Sequence, residues 1–384
     1  MNKGPLLLMA IVFSLFIALT VLAPALSSAQ TTRTVTVMAD LAHGESDKYL
    51  NYIMGNITFV KWIVNKDPLT PDRLADVDIL LIGQPTVAFS ADEVNAIIDW
   101  LSKGNKALWV GGDSDYGNGY QTIQIVNNLM AAIGSKLRLE QGAVYSNYNG
   151  TYSYGGSDWP VIAKAYYRML AFVEPDNRPD LYTQILSAGI SKPILMHGPT
   201  CVIWVDSSGK YHDPVTDITS DLIRLVYFHY AHIGVNYANW APLVYDPVKY
   251  SKDENTFVGY MAEYWGDKNV IIVLSGESIY GDYEPAWASS YYGVSLDGPR
   301  WVTNFITWLA TIVTSRVTTT VTSTETFTTT ATTTVTSTTT FTTTYTTTST
   351  TTTVDWTTTG VVAGVLVLII IIEGVLLARR PGKK

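Results

Sequence analysis

The chain contains few charged residues and a single cysteine. Charged residues make up 15% of its 384 residues, and the net charge is -8. Lys and Arg do not cluster outside the extreme C-terminus, so nucleic-acid binding, which needs such clusters against phosphate, is not expected. Cys201 alone cannot form an internal disulfide, so stability must come from the core. We expect Cys201 to be buried on an apolar strand; a reactive thiol is the alternative.

The two ends of the chain carry long apolar stretches. The first follows Lys3 and ends in small residues, which predicts a secretory signal peptide cleaved after Ala29; an uncleaved signal anchor is the alternative. The second, residues 360–378, would be about 28 Å long as a helix, and basic residues follow it. It therefore predicts a transmembrane helix with a cytoplasmic C-terminus, and Glu373 would lie near its inner end.

Most residues between the folded region and this helix are Thr, with scattered Val, Ser, Phe and Tyr, which indicates an O-glycosylated stalk. The sequons at Asn56 and Asn149 are candidate N-glycosylation sites. The predicted organisation is a signal peptide at 1–29, an extracellular domain at 30–316, a stalk at 317–359, a membrane helix at 360–378 and a tail at 379–384.

Within the extracellular domain, apolar strand patterns alternate with amphipathic helices. Residues 76–83 and 107–112 predict buried strands. A helix is predicted between these two strands, and Ser90 and Glu93 have the spacing of a capping box at its start. This alternation predicts an α/β fold with a mostly parallel, helix-covered sheet.

Later segments extend this pattern. Residues 268–276 predict a last core strand, and residues 298–313 predict a closing helix. We also expect a helix over 221–233, which would place His229 and His232 on one face. Core histidines are the simpler interpretation of that pair, and a metal pair is the alternative.

The strand at Asp76–Gly83, the helix end at Asp99–Leu101 with Gly104, and the strand and turn at Ala107–Asp113 resemble class I glutamine amidotransferase-like domains. The likeness is closer to their extracytoplasmic relatives that lack amidotransferase activity, and residues 270–278 and 304–309 resemble the closing strand and helix. The resemblance implies a flavodoxin-like sheet with β and loop insertions. The Thr-rich stalk and the lack of disulfides resemble surface proteins of archaea.

In that family the nucleophilic Cys lies on the turn after the strand equivalent to residues 107–110. Here the turn is Gly111-Gly112-Asp113-Ser114-Asp115, and Cys201 is on a different segment. Amidotransfer needs a thiolate, so this activity is not expected. A degenerate hydrolase that uses Ser114, or a metal near Asp113, is the alternative, although the turn lacks the second Gly of a nucleophile elbow.

Ligands of parallel sheets bind outside the carboxyl ends of the strands. The polar residues predicted at those ends are the candidate ligand-binding residues: Asp40, His43, Gln84, Asp113, Asp115, Glu277 and Ser278. The alternative is that they cap helices and shape turns. Converging carboxylates could hold calcium, but we expect no metal and no cofactor.

Two stretches rich in Tyr and Trp, at 145–159 and 280–292, predict either contact surfaces or loops packed over the sheet. With the missing nucleophile and the stalk, they favour a non-enzymatic, membrane-anchored surface protein that binds a glycan, a peptide or an envelope protein. A solute-binding component of a transporter is a third hypothesis.

Overall fold

The structure is a computed structural model that describes residues 33–281 and 286–315. The predicted signal peptide, Thr-rich stalk, membrane helix and cytoplasmic tail lie outside the described residues. In the part of the chain that is described, no helix combines the length and the apolar character needed to cross a bilayer.

The described residues form five α-helices and seventeen strands. The helices are α1 (Leu50–Asn56), α2 (Pro71–Leu74), α3 (Ala91–Ser102), α4 (Gly119–Ala132) and α5 (Gly298–Thr314). The strands are β1 (Thr36–Asp40), β2 (Lys61–Asn65), β3 (Ile79–Gly83), β4 (Lys106–Gly111), β5 (Leu137–Leu139), β6 (Ala143–Tyr145), β7 (Thr151–Tyr154), β8 (Ser157–Pro160), β9 (Arg168–Val173), β10 (Ile194–His197), β11 (Val202–Val205), β12 (Tyr211–His212), β13 (Leu222–Gly234), β14 (Asn255–Trp265), β15 (Val270–Ser275), β16 (Ser290–Tyr291) and β17 (Val294–Ser295).

Five strands pair in parallel, in the order β2-β1-β3-β4-β15. Helices cover both faces of this part of the sheet. On one face, Ile53 of α1 and Phe305 of α5 pack against side chains such as Trp109. On the other, Trp100 of α3 and Val126 of α4 pack against the alternate side chains of the same strands. The predicted α/β class is confirmed.

Local sequence explains these elements. β3 is fully buried, as its continuous apolar run predicts. At the start of α3, the Ser90 side chain accepts the Glu93 N–H and the Glu93 carboxylate accepts the Ser90 N–H, so the predicted capping box is present.

The central sheet continues beyond β15 with antiparallel strands in the order β14-β13-β9-β10, and β6 pairs with the end of β13. Two smaller sheets, β5-β11-β12 and β7-β8, lie between β4 and β15, and the two-stranded sheet β16-β17 lies between β15 and α5. The insertion between β4 and β15 carries most of this antiparallel structure.

The predicted helix over 221–233 is wrong, because these residues form most of β13. Apolar residues in this segment fit helical spacing, but its Val, Ile, Tyr and Phe content suits a strand. The pairing of β13 with β14 contains register shifts, and Tyr230 has a φ of 51°, so the alternation of a regular strand is interrupted. His229 and His232 therefore do not share a helical face.

The closing helix α5 ends at the amino edge of the parallel strands. The Asn269 side-chain amide donates to the carbonyls of Ile312 (2.8 Å) and Ser315 (3.2 Å), and Asn269 directly precedes β15. The chain thus leaves the domain at the edge opposite the carboxyl ends of β3, β4 and β15.

Candidate functional site

A cavity of about 670 Å³ opens beside the carboxyl ends of β3, β4 and β15. Its walls come from the turns after these strands, the start of α4, and the insertion around β6, β9 and β10. The lining residues are Gln84, Thr86, Asp113, Ser114, Tyr116, Gly117, Asn118, Gly119, Thr122, Tyr145, Tyr166, Tyr167, Arg168, His197, Gly198, Glu277 and Gly281.

Four of the predicted site residues line this cavity: Gln84, Asp113, Ser114 and Glu277. The turn after β4 is ordered by its own side chains, since Asp113 Oδ1 accepts the N–H of Ser114 at 2.7 Å. Ser114 Oγ accepts the N–H of Tyr116 at 3.4 Å. A Cβ added to Gly198 would lie 3.9 Å from Ser114 Oγ, so the His197–Gly198 turn faces the Ser114 hydroxyl closely.

Aromatic rings and one guanidinium form the opposite wall. The rings of Tyr145 and Tyr166 lie 4.9 Å apart, and the Arg168 guanidinium lies 4.4 Å from the centre of the Tyr167 ring. Burial raises the pKa of Tyr145 to about 12, so its hydroxyl is protonated at neutral pH. The cavity therefore offers apolar faces, carboxylates and hydrogen-bond donors together.

Two other predicted residues are structural. The buried Asp115 carboxylate accepts the N–H groups of Asn236 (2.6 Å) and Tyr237 (2.9 Å). Ser278 is also buried, and its hydroxyl accepts the N–H of Tyr280 at 3.2 Å. Neither side chain lines the cavity, so the turn-shaping alternative describes both.

Asp40 and His43 belong to a separate buried cluster that follows β1. His43 Nδ1 lies 2.7 Å from Asp40 Oδ2, and His43 Nε2 lies 3.1 Å from Glu93 Oε1. The His43 N–H donates to Glu45 Oε2 at 2.8 Å, whereas Glu45 Oε1 is buried without a hydrogen-bond partner. Asn65 donates to Asp40 Oδ1 at 2.7 Å.

Burial and mutual charge shift the pKa values of this cluster. Burial and the Asp40 charge raise the pKa of Glu45 to about 7. Burial by itself would lower the pKa of His43, but the hydrogen bond and charge of Asp40, with Glu45 and Glu93, raise it overall. Burial by itself would raise the pKa of Glu93, but hydrogen bonds from Ser90 and Leu69 lower it overall.

Three other histidines, His212, His229 and His232, have carboxylate neighbours outside the cavity. His229 Nε2 lies 2.8 Å from Glu174 and His232 Nδ1 lies 2.5 Å from Asp253. The ring nitrogens of His212 lie 2.7 Å from Asp217 and 2.9 Å from Asp206. In the described residues, His229 and His232 do not converge on one another as a metal pair would.

Much of the first aromatic stretch packs over the sheet. Tyr148 stacks on Tyr230 at 4.3 Å, and Tyr152 stacks on His229 at 4.1 Å. Tyr145 is the member that lines the cavity, and Tyr280 of the second stretch is fully buried. The packing alternative therefore describes most of these rings.

Sequence reasoning missed two sets of residues. Tyr166 and Tyr167 line the cavity just before β9, and Arg168 lines it as the first residue of that strand. The apolar run at 169–173 was the signal that could have found β9. Glu45 was missed as a partner of Asp40 and His43. The spacing Asp40-x-x-His43-x-Glu45 directly after a buried strand was the signal that could have found it.

No protein-family model and no curated protein sequence matches the chain. Several solved structures are similar in fold. The N-terminal domain of mmIFT52 matches 72% of this chain and 97% of that chain, with 12% identity and a TM-score of 0.45. A GMP synthase protein from Thermoplasma acidophilum matches 72% and 95%, with 7% identity and a TM-score of 0.33. PurLQS from Thermotoga maritima matches 72% and 99%, with 12% identity and a TM-score of 0.31.

Proposed function

We propose that this chain is a membrane-anchored cell-surface protein that binds a glycan in the cavity at the carboxyl edge of its sheet. One observation carries the proposal: the cavity and the point where the chain leaves the domain are at opposite edges of the same strands. β15 has six residues, a rise of about 20 Å, between the Asn269–Ser315 contact and Glu277 of the cavity. The described domain therefore continues into the rest of the chain from the edge opposite the cavity, which leaves the cavity free of that attachment point.

The domain itself is proposed to be amidotransferase-like without amidotransferase activity. The parallel strands follow the order 2-1-3-4-5 of flavodoxin-like sheets when β15 is taken as the fifth strand. The turn after β4 carries Asp113 and Ser114 where the family has its nucleophilic Cys, so the thioester chemistry has no thiol there.

The cavity wall favours a glycan as the ligand. Sugars present apolar C–H faces that pack on aromatic rings, and hydroxyls that bond to carboxylates and guanidinium groups. Tyr166 and Tyr167 provide the rings, while Asp113, Glu277 and Arg168 provide the polar groups. Such a mixture is typical of sites for small polar ligands.

The test is a glycan array probed with the full-length chain in detergent. Tyr166 lines the cavity and is 47% exposed, so Tyr166→Ala should weaken binding about tenfold with little change in stability. Tyr211, which is 38% exposed and is not a lining residue, provides the matched control Tyr211→Ala. Absence of glycan binding, or equal binding by both variants, would contradict the proposal.

The surface location needs its own experiment. Asn56 and Asn149 lie at sequons, so an exported chain can carry glycans at these positions. We expect protease added to intact cells to cleave the described domain, and Asn→Gln changes at the two sites to increase gel mobility. A chain protected from protease in intact cells would reject the membrane topology.

A degenerate hydrolase is the second candidate, because Ser114, Asp113, Glu277 and His197 line one cavity. A serine nucleophile would react with a fluorophosphonate probe, and Ser114→Ala would abolish the labelling. The non-enzymatic proposal expects no labelling of the wild-type chain. Labelling that depends on Ser114 would favour the hydrolase instead.

A further inference from the structure

The cluster that follows β1 contains more carboxylates than its histidine can balance. Asp40, Glu45 and Glu93 face the single imidazole of His43, and all four residues are buried. Among residues 33–281 and 286–315, the ion pairs of these three carboxylates go to His43 and to no Lys or Arg. Buried carboxylates that lack a full set of positively charged partners are costly unless protons or a bound cation supply the missing charge.

Three donor atoms in this cluster converge. One donor atom each from Asp40, His43 and Glu45 lie within 4.8 Å of one another. Glu45 Oε1 has no hydrogen-bond partner, and it lies 4.0 Å from His43 Nδ1 although its side chain has no exposed surface. A buried carboxylate oxygen without a hydrogen-bond partner, beside the His43 ring, is an independent indication of a missing ligand.

From this geometry we infer that Asp40, His43 and Glu45 bind a divalent transition-metal cation such as Zn²⁺. One nitrogen and two carboxylate oxygens match the ligands that Zn²⁺ takes in three-residue sites, with a fourth position left for water. Calcium fits less well, because it prefers six to eight oxygen ligands and an imidazole is not one of them. We expected no metal from the sequence, and the inferred site would replace that expectation.

The distances are close to those of a bound ion. Metal–ligand bonds of about 2.0–2.2 Å place tetrahedral donor atoms about 3.3 Å apart. The observed separations from His43 Nδ1 are 2.7 Å to Asp40 Oδ2 and 4.0 Å to Glu45 Oε1. Each of these two separations differs from the tetrahedral value by no more than about 0.7 Å, and donor atoms of Asp40 and Glu45 lie within 4.8 Å of each other. The ion takes the place of the proton that His43 Nδ1 shares with Asp40.

The outer partners of these ligands are also in place. Glu93 Oε1 lies 3.1 Å from His43 Nε2, so it can accept the Nε2–H of a histidine that binds metal through Nδ1. Asn65 donates to the second oxygen of Asp40. Carboxylate–histidine pairs of this kind fix the tautomer and the ring orientation at metal sites.

The site lies next to the cavity but is distinct from it. The N–H groups of Thr86 and Val87 both donate to the carbonyl of His43, at 2.8 and 2.9 Å, and Thr86 lines the cavity. The exposed Gly44, with a φ of +81°, separates His43 from Glu45 and gives the loop its turn. A bound ion would thus order the loop that supports one cavity wall.

The test is metal retention by the full-length protein, produced without a histidine tag, treated with EDTA and then dialysed against Zn²⁺. We expect one zinc per chain by elemental analysis, a higher Tm than the EDTA-treated protein, and visible d–d absorption when Co²⁺ replaces Zn²⁺. Glu45→Gln should retain the fold and lower the zinc affinity by more than about tenfold. Glu93→Gln should lower it by about 10–100-fold, as outer-shell changes do.

A second histidine provides the matched control. His212 also lies between two carboxylates, but at an edge of the three-stranded sheet, so His212→Gln should leave zinc retention unchanged. The inference is overturned if the wild-type chain retains no metal. It is equally overturned if Glu45→Gln retains as much zinc as the wild type, or if His212→Gln removes the zinc. Glycan binding has no part in these readouts, so this inference and the proposed function fail separately.

Discussion

Asp115 provides a direct test of whether a polar residue at the carboxyl edge binds a ligand or holds the fold. Its side chain is 1% exposed. Oδ2 accepts two backbone N–H groups, from Asn236 and Tyr237, and Oδ1 accepts the side-chain amide of Asn236 at 2.7 Å. The carboxylate therefore anchors the segment after β13 to the turn after β4.

The magnitude follows from what each substitution leaves unpaired. Asp115→Ala removes the acceptor of two backbone N–H groups, and at about 1–3 kcal/mol for each unsatisfied donor the loss is about 2–6 kcal/mol. Asp115→Asn retains one oxygen for those N–H groups, and the Asn236 amide can rotate to present its own oxygen. We expect a loss of about 1 kcal/mol for Asp115→Asn.

Urea denaturation of the full-length chain in detergent, followed by tryptophan fluorescence, measures both values. Asp267→Ala, at an exposed position, is the control and should change the free energy of unfolding by less than about 0.5 kcal/mol. If Asp115→Ala and Asp115→Asn were equally destabilising, or if Ala cost less than about 1 kcal/mol, the anchoring role would be refuted.

Three further results are expected. Burial by itself would raise the pKa of Glu174, but the hydrogen bond and charge of His229 lower it overall. The stabilising contribution of Glu174 is therefore complete above about pH 5 and is lost as the pH falls through the lowered folded-state pKa. Glu174→Gln should flatten the acid limb of a Tm–pH profile, and an unchanged limb would contradict this. Cys201 is fully buried and burial raises the pKa of its thiol, so maleimide should label it only after denaturation; rapid labelling of the native chain would be inconsistent with the structure. Trp308→Ala should cost about 3–5 kcal/mol in unfolding experiments and Trp308→Phe clearly less, because Trp308 is fully buried; equal losses would show that the cavity left by the ring is not the cause.

The parallel part of the fold could be predicted because its signals are local. The apolar run of β3 ends at Gly83, and the Ser90–Glu93 capping box begins α3, so each element is indicated by adjacent residues. β13 could not be predicted in the same way. Its apolar residues fit a helix as well as a strand, and pairing with β14, β9 and β6 decides between them.

The candidate site could also be predicted only in part. The rule that ligands bind beyond the carboxyl ends of parallel strands predicted a site at Gln84, Asp113, Ser114 and Glu277, which follow β3, β4 and β15, and these residues line the cavity. The same rule did not separate them from Asp115, whose carboxylate faces a loop more than 100 residues away in sequence.

The sequence by itself indicated β3, β4 and β15, the helices α3 and α5, and their alternation, and it led to the expectation of an export signal, a Thr-rich stalk and a membrane helix. The tertiary structure alone decided which polar side chains meet: His43 with Glu93, Arg168 with the Tyr167 ring, and Asp115 with Asn236. The physical reason is one of range. Backbone periodicity and helix caps depend on neighbours within a few residues, whereas a buried carboxylate takes its partner from whichever segment the packed sheet brings within hydrogen-bond distance.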